Sequence, residues 1–111
     1  MTDGTPVRRG DVVVAVFANA QGGEIRKRRP FVVISPDELN EVADTYVAAG
    51  LTTGHHPYRY RVPCKFASRK GHVVLDQLYT LDASRIGPPI GRLAPREVVE
   101  TLAILREMFA E

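Results

Sequence analysis

Residues 28–38 read Arg28, Arg29, Pro30, Phe31, Val32, Val33, Ile34, Ser35, Pro36, Asp37, Glu38. The run from Pro30 to Ile34 is β-branched and aromatic and too short for an ordinary helix, so it reads as a buried strand. It stops at helix-start chemistry: Ser35 suits an N-cap, Pro36 the first helical position, and Glu38 follows Ser35 by three residues. A short helix over about Asp37 to Val42 is predicted. A brief apolar strand bounded by polar, charged or turn-forming residues is the pattern that the rest of the chain repeats.

Upstream, Asp11 to Phe17 is dominated by valine and reads as a strand, followed by turn chemistry at Asn19, Gln21, Gly22 and Gly23. The basic cluster Arg26, Lys27, Arg28, Arg29 then falls in a mobile loop. Downstream, Tyr46 to Leu51 is a strand of small residues ending at Thr52, Thr53 and Gly54. A loop containing His55, His56 and Pro57 leads to Tyr58, Tyr60 and Val62, which alternate with Arg59 and Arg61. That strand has one apolar face and one cationic face. His72 to Leu75 is a further strand, and Gly87, Pro88 and Pro89 restrict the next stretch to a turn and a short strand. Pro95 opens an amphipathic helix with Val98, Val99, Leu102, Leu105 and Phe109 on one face. The fold class is mainly β (α+β): a small barrel or strongly bent sheet with a short internal helix and a C-terminal helix.

With 111 residues, 44% hydrophobic and 25% charged, the chain has the composition of one globular domain. Residues 1–7 are expected to be a flexible tail and residues 8–111 the domain. A core of this size is modest, so pairing with a second copy would help bury apolar strands. The sequence contains neither a signal-peptide pattern nor an apolar run near the ~20 residues that span a bilayer, and a cytoplasmic, non-membrane protein is expected. Cys64 is the only cysteine and reads as structural, in keeping with a reducing compartment. The net charge is only +2. The basic residues nevertheless concentrate in Arg26 to Arg29 and in Arg59, Arg61, Lys65, Arg69 and Lys70.

Phosphate-binding glycine loops, zinc-protease histidine pairs and the serine hydrolase elbow are missing from the sequence. Two adjacent histidines in a loop rarely make a metal site without carboxylate or cysteine partners, so neither metal nor cofactor is expected. What remains suits RNA phosphodiester cleavage. The RNA 2′-hydroxyl is itself a nucleophile, so a protein need only accept one proton, deliver another and stabilise charge on phosphate. Arg28 or Arg29 offers bidentate donors to phosphate, Thr52 and Thr53 offer hydroxyls, and Glu24 or a histidine offers a proton acceptor.

Five pieces of sequence in order resemble the MazF/PemK toxins, in the wider group that also holds the CcdB gyrase poisons. They are Arg9-Gly10-Asp11-Val12; Gly23-Glu24 with Arg28-Arg29-Pro30 and Ser35-Pro36; Ala49-Gly50-Leu51-Thr52-Thr53; Val73 to Leu78; and Thr80-Leu81-Asp82 through Arg92-Leu93. The resemblance covers roughly residues 8 to 109. It implies an SH3-like barrel that forms a homodimer, selective cleavage of single-stranded RNA to 2′,3′-cyclic phosphate and 5′-hydroxyl ends, and neutralisation by a partly disordered MazE-like antitoxin. It places the family's catalytic arginine on Arg29, its catalytic threonine on Thr52, and a loop acid on Glu24. A guanidinium with a reference pKa above about 12 is a poor base, so Arg29 suits an electrostatic clamp and the proton acceptor stays open. RNA contacts are expected from Arg26, Lys27, Arg28, Thr53, His55, His56, Arg59 and Arg61.

The chain departs from the family pattern at three places. Gly50 replaces a proline or apolar residue, Ile25, Arg26 and Lys27 replace Gln-Ala-Gly, and Ala18-Asn19 replaces Asp-Pro. Two other functions fit this kind of chain: a CcdB-like DNA gyrase inhibitor, for which the C-terminal contact residues are missing, and a non-catalytic RNA-binding module that stacks bases on Tyr58 and Tyr60.

Overall fold

The computed structural model describes residues 7–18, 26–54 and 58–111, with backbone alone at 17, 18, 26 and 27. Six strands form one antiparallel sheet in the order β4-β5-β3-β2-β1-β6. They are β1 (Asp11–Ala18), β2 (Arg26–Val33), β3 (Thr45–Thr52), β4 (Arg61–Phe66), β5 (Arg69–Asp82) and β6 (Gly91–Arg92). Helix α1 (Asp37–Asn40) follows β2, a 3-10 turn (Ala83–Arg85) follows β5, and helix α2 (Pro95–Phe109) ends the chain. The result is a curled sheet, a half-barrel, as the alternation of short strands and loops predicts.

Alternation within the strands separates two cores. Val12, Val32, Ala49, Leu51, Val73 and Leu75 point to one side, under α2. Val13, Val33, Phe31, Ala48, Tyr46 and Leu81 point to the other. Because β1, β2 and β3 are apolar on both faces, their sequences read as continuous apolar runs rather than as strict alternation. Val7, at 8% exposed, packs into the second core, so the packed chain begins inside the stretch assigned to the tail.

Strand β5 curls the sheet. Ala49 pairs with Leu78, yet the next β3 residue, Gly50, pairs with Val74, so Leu75, Asp76 and Gln77 form a wide bulge with no β3 partner. The Leu75 N–H instead donates to the Tyr60 carbonyl at 2.9 Å. A bulge of this kind bends the strand and sharpens its twist. It lets the first half of β5 serve both β3 and β4 while the second half serves β3 alone.

Several sequence expectations need correction. The Arg26 to Arg29 cluster lies in β2, paired with β1 from Ala18 to Ala15, rather than in a loop. Helix α1 ends at Asn40, with Val42 turned to solvent at 80% exposed. Its N-cap is Pro36. The Ser35 hydroxyl instead donates to Asn40 Oδ1 at 2.6 Å and accepts from the Val47 N–H at 3.1 Å, tying α1 to β3. Strand β4 begins at Arg61, after a turn at Arg59 and Tyr60.

On α2, Val98, Leu102 and Leu105 of the predicted stripe pack on the core, but the buried face is rotated away from its other two members. Val99 and Phe109 are exposed at 65% and 70%, while Glu97, Thr101 and Leu105 are buried. The cause is Glu97. Its carboxylate accepts from the Ala94 N–H at 2.9 Å, as a capping-box glutamate does, and from the Lys65 N–H at 3.0 Å on the outer edge of β4. One buried carboxylate thus caps the helix and blocks the sheet edge, and positions one turn apart at 97, 101 and 105 are drawn inward with it.

Candidate active site

Antiparallel register brings residues far apart in sequence into rows that share a face. Phe31 pairs with Gly50, Gly50 with Val74, and Val74 with Arg61, so these four form one row across β2, β3, β5 and β4. Two residues along, Thr52 pairs with His72 and His72 with Pro63. The same register carried along β2 sets Arg29 opposite Thr52. These rows lie on the face of the second core, beyond the part that Val7, Ala83 and Ile86 cover.

The uncovered part is a cleft of about 140 Å³ lined by Arg29, Pro30, Phe31, Gly50, Leu51, Thr52, Arg61, Val74, Gln77 and Tyr79. Two features open it. Gly50 places no side chain above Phe31, and the β5 bulge swings Gln77 out of the ladder and into the rim.

Thr52 is held from two sides. Its Oγ1 accepts from the Gly54 N–H at 3.1 Å. A hydroxyl has one proton to donate, so this contact leaves the donor for a ligand. Beneath it, Gly71 approaches so closely that a Cβ there would lie 2.2 Å from the Thr52 carbonyl oxygen. His72, across from Thr52, uses Nδ1–H to donate to the Gly54 carbonyl at 3.1 Å, a bond that selects its tautomer.

The cleft is cationic. The Arg29 side chain is exposed and makes no hydrogen bond or ion pair among the described residues. Arg61 is only 14% exposed in its side chain, with Nε 3.5 Å from Asp76 Oδ1 and the guanidinium 5.0 Å from the centre of the Tyr58 ring. That separation supports Coulomb attraction, while Nε remains buried without a hydrogen bond. None of the lining residues is acidic. Two arginines against one flanking carboxylate favour an anion at the opening. Opposite them, Tyr79 meets Phe31 edge to face, with ring centres 5.0 Å apart and planes at 74°.

Arg29, Thr52 and Arg61 therefore come together. Arg28 is exposed, and strand alternation turns it to the other face. Thr53 is exposed just past β3. Arg59 lies apart from the cleft, bound to Glu107 on α2, and that hydrogen bond with its attendant charge raises the guanidinium pKa. Arg26 and Lys27 are placed by backbone alone. Glu24, His55 and His56 lie outside the described residues. Cys64 is buried, its thiol pushed up to about 12 by burial and then by the Glu97 charge, as a structural cysteine requires. Among the described residues no cluster of His, Cys, Asp or Glu is arranged to hold a metal ion.

Sequence reasoning passed over Gln77, Tyr79 and Asp76. The available signal was the sequence Val73-Val74-Leu75-Asp76-Gln77, in which three consecutive apolar residues are followed by two polar ones.

Comparison with known proteins adds a second line of information. A family described as the PemK-like, MazF-like toxin of type II toxin-antitoxin systems matches residues 8–109. The endoribonuclease MazF of Staphylococcus epidermidis is 28% identical over 100 residues, covering 85% of this chain and 83% of the relative. A MazE-MazF structure from Deinococcus radiodurans superposes with a TM-score of 0.80 at 25% identity, covering 94% of this chain and 96% of that one. A mycobacterial endoribonuclease in complex with its cognate antitoxin superposes with a TM-score of 0.76 at 20% identity, over 91% and 92% of the two chains.

Proposed function

Because the chain belongs to the PemK-like, MazF-like family of type II toxin–antitoxin toxins, we propose that it is an endoribonuclease toxin that cuts single-stranded RNA at selected sequences without a metal ion. Cleavage yields a 2′,3′-cyclic phosphate and a 5′-hydroxyl, and loss of mRNA stops translation and growth. The observation that carries this reading is the convergence of Arg29 and Thr52, from adjacent strands, in one cationic cleft.

In the proposed reaction the 2′-hydroxyl gives up its proton and attacks the neighbouring phosphorus while the bond from phosphorus to the 5′-oxygen breaks, and that oxygen takes up a proton to leave as the 5′-hydroxyl, so the substrate supplies the nucleophile. Arg29, exposed and unpaired among the described residues, clamps the phosphate oxygens and stabilises charge as it builds. The Thr52 hydroxyl, which only accepts from Gly54, donates a hydrogen bond to the same phosphate, and Arg61 adds positive charge from the far wall. Glu24, which matches a loop acid of the family, or a histidine is the candidate acceptor of the 2′-hydroxyl proton.

The remaining assignments follow from the same reading. The toxin works as a homodimer in the cytoplasm, and a MazE-like antitoxin holds it in check. A MazE-MazF structure among its structural neighbours supports such a partner. No helix among the described residues is long and apolar enough to cross a membrane.

Incubation of the purified protein with mixed-sequence single-stranded RNA in EDTA tests the proposal, with sequencing of 5′-hydroxyl ends to locate the cuts. Discrete cuts are expected. Thr52→Ala should lower the rate about a hundredfold, the scale of losing one transition-state donor. Intact RNA across several sequences would overturn nuclease function and favour a binding module or a gyrase inhibitor. Abolition by EDTA would overturn the metal-free mechanism alone. Sedimentation equilibrium checks the dimer, which a monomer at micromolar concentration would exclude.

A further inference from the structure

Among the described residues, Tyr79 is the large aromatic side chain on the open rim of the cleft that the reaction above leaves unused. It shares a face with Tyr46, yet the two are treated differently. Tyr46 is buried at 8% exposed within the second core, whereas Tyr79 keeps 36% of its surface in solvent.

Its ring is not loose. Phe31, 1% exposed, braces it edge to face at 5.0 Å, and Phe31 is itself fixed in the second core. A braced ring loses little freedom when a flat group settles on it, which lowers the cost of binding. Gly50 leaves the space between the ring and the Arg29–Thr52 pair without a side chain. The cleft thus offers phosphate donors on one side and an aromatic surface on the other, within a volume that takes one ring or one phosphate but does not enclose a whole nucleotide.

We infer that Tyr79 is a stacking platform for one nucleobase next to the phosphate that Arg29 and Thr52 hold. The inference rests on the endoribonuclease reading and adds a substrate-positioning residue to it. Single-stranded RNA suits such a platform, because its unstacked bases can turn out onto aromatic side chains.

The test uses the full chain with an RNA spanning a mapped cut, made resistant by a 2′-deoxy nucleotide at the cleaved position. 2-Aminopurine is placed at each position in turn. Its fluorescence should be quenched at one position beside the cut with the wild type and Tyr79→Phe, which retains the ring. Quenching at that position should vanish with Tyr79→Leu, which retains bulk, while circular dichroism shows an unchanged fold. With cleavable RNA, Tyr79→Leu should raise KM roughly tenfold to a hundredfold, the usual scale for one stacked base, with kcat at saturating RNA nearly unchanged. Equal quenching and KM in wild type and Tyr79→Leu would overturn the inference, as would a uniform loss at every position or a fall in kcat alone. A wild type that cleaves RNA while Tyr79→Leu behaves identically leaves the nuclease reading standing. A wild type that leaves RNA intact removes both.

Discussion

The two faces of the sheet use the same strands and nearly the same residue types, but they are completed differently. On one face α2 covers the core from Val12 to Phe66, and Glu97 seals the sheet edge by binding the Lys65 N–H. On the other, Val7, Ala83 and Ile86 cover only one end, and the remainder ends in Arg29, Thr52, Arg61 and Tyr79 around an open cleft. An unfinished face on a rigid scaffold suits binding residues, because the strands that fix their positions are already stabilised from behind. The covered face should govern stability and the open face activity.

The largest effect should come from the open face. Arg29→Ala is expected to lower RNA cleavage by about two to three orders of magnitude. The Arg29 side chain is exposed and makes no bond among the described residues, so the melting temperature should hardly move. A melting temperature that fell along with activity would break the division between faces. Gly71→Ala should cross that division, since the added methyl meets the Thr52 carbonyl at 2.2 Å and the Phe66 ring at 2.9 Å. Overpacking of this sort costs about 1–3 kcal/mol. Denaturant titration should register that loss, and cleavage by the folded fraction should also fall because Thr52 is displaced.

A matching change on the covered face is Glu97→Ala. It leaves the Ala94 and Lys65 N–H groups without their acceptor. About 2 kcal/mol should be lost in urea unfolding, with the specific activity of folded protein unchanged. Activity lost out of proportion to folding would show that the edge seal also shapes the cleft.

Smaller still is the hairpin between β4 and β5. Ala67 and Ser68 adopt φ of 50° and 62°, the left-handed pair that a two-residue turn demands and that asparagine and glycine accept more readily. Ala67→Asn with Ser68→Gly should stabilise the fold by roughly 1 kcal/mol and leave cleavage as it was, measured by the same titration. The smallest effect at neutral pH belongs to Cys64. Burial raises its pKa from 9.0 to about 12, so the thiol favours the fold in its neutral form. Its contribution is complete below pH 9 and is lost as pH rises toward 12. Wild type should therefore lose stability faster than Cys64→Ala in denaturant melts across that range, and parallel curves would contradict the assignment.

The sequence alone determined the kinds of elements and pointed to Arg29 and Thr52 as candidates. Apolar runs bounded by turn residues are local features, and so is Pro95 at the start of α2; both could be read without knowing what packs where. Arg29 and Thr52 were legible because their flanking residues resemble a known pattern. The length of β2, the β5 bulge and the rotation of α2 were not. Four consecutive basic residues look like a loop until β1 pairs with them, and the buried face of α2 is set by Glu97 reaching a strand that lies 32 residues earlier. Only the tertiary structure decided that Arg28 and Arg29 part company, that Arg59 belongs to Glu107 and that Tyr79 joins the cleft. Strand register turns alternate residues to opposite faces, and register is a property of paired strands, which no single stretch of chain contains.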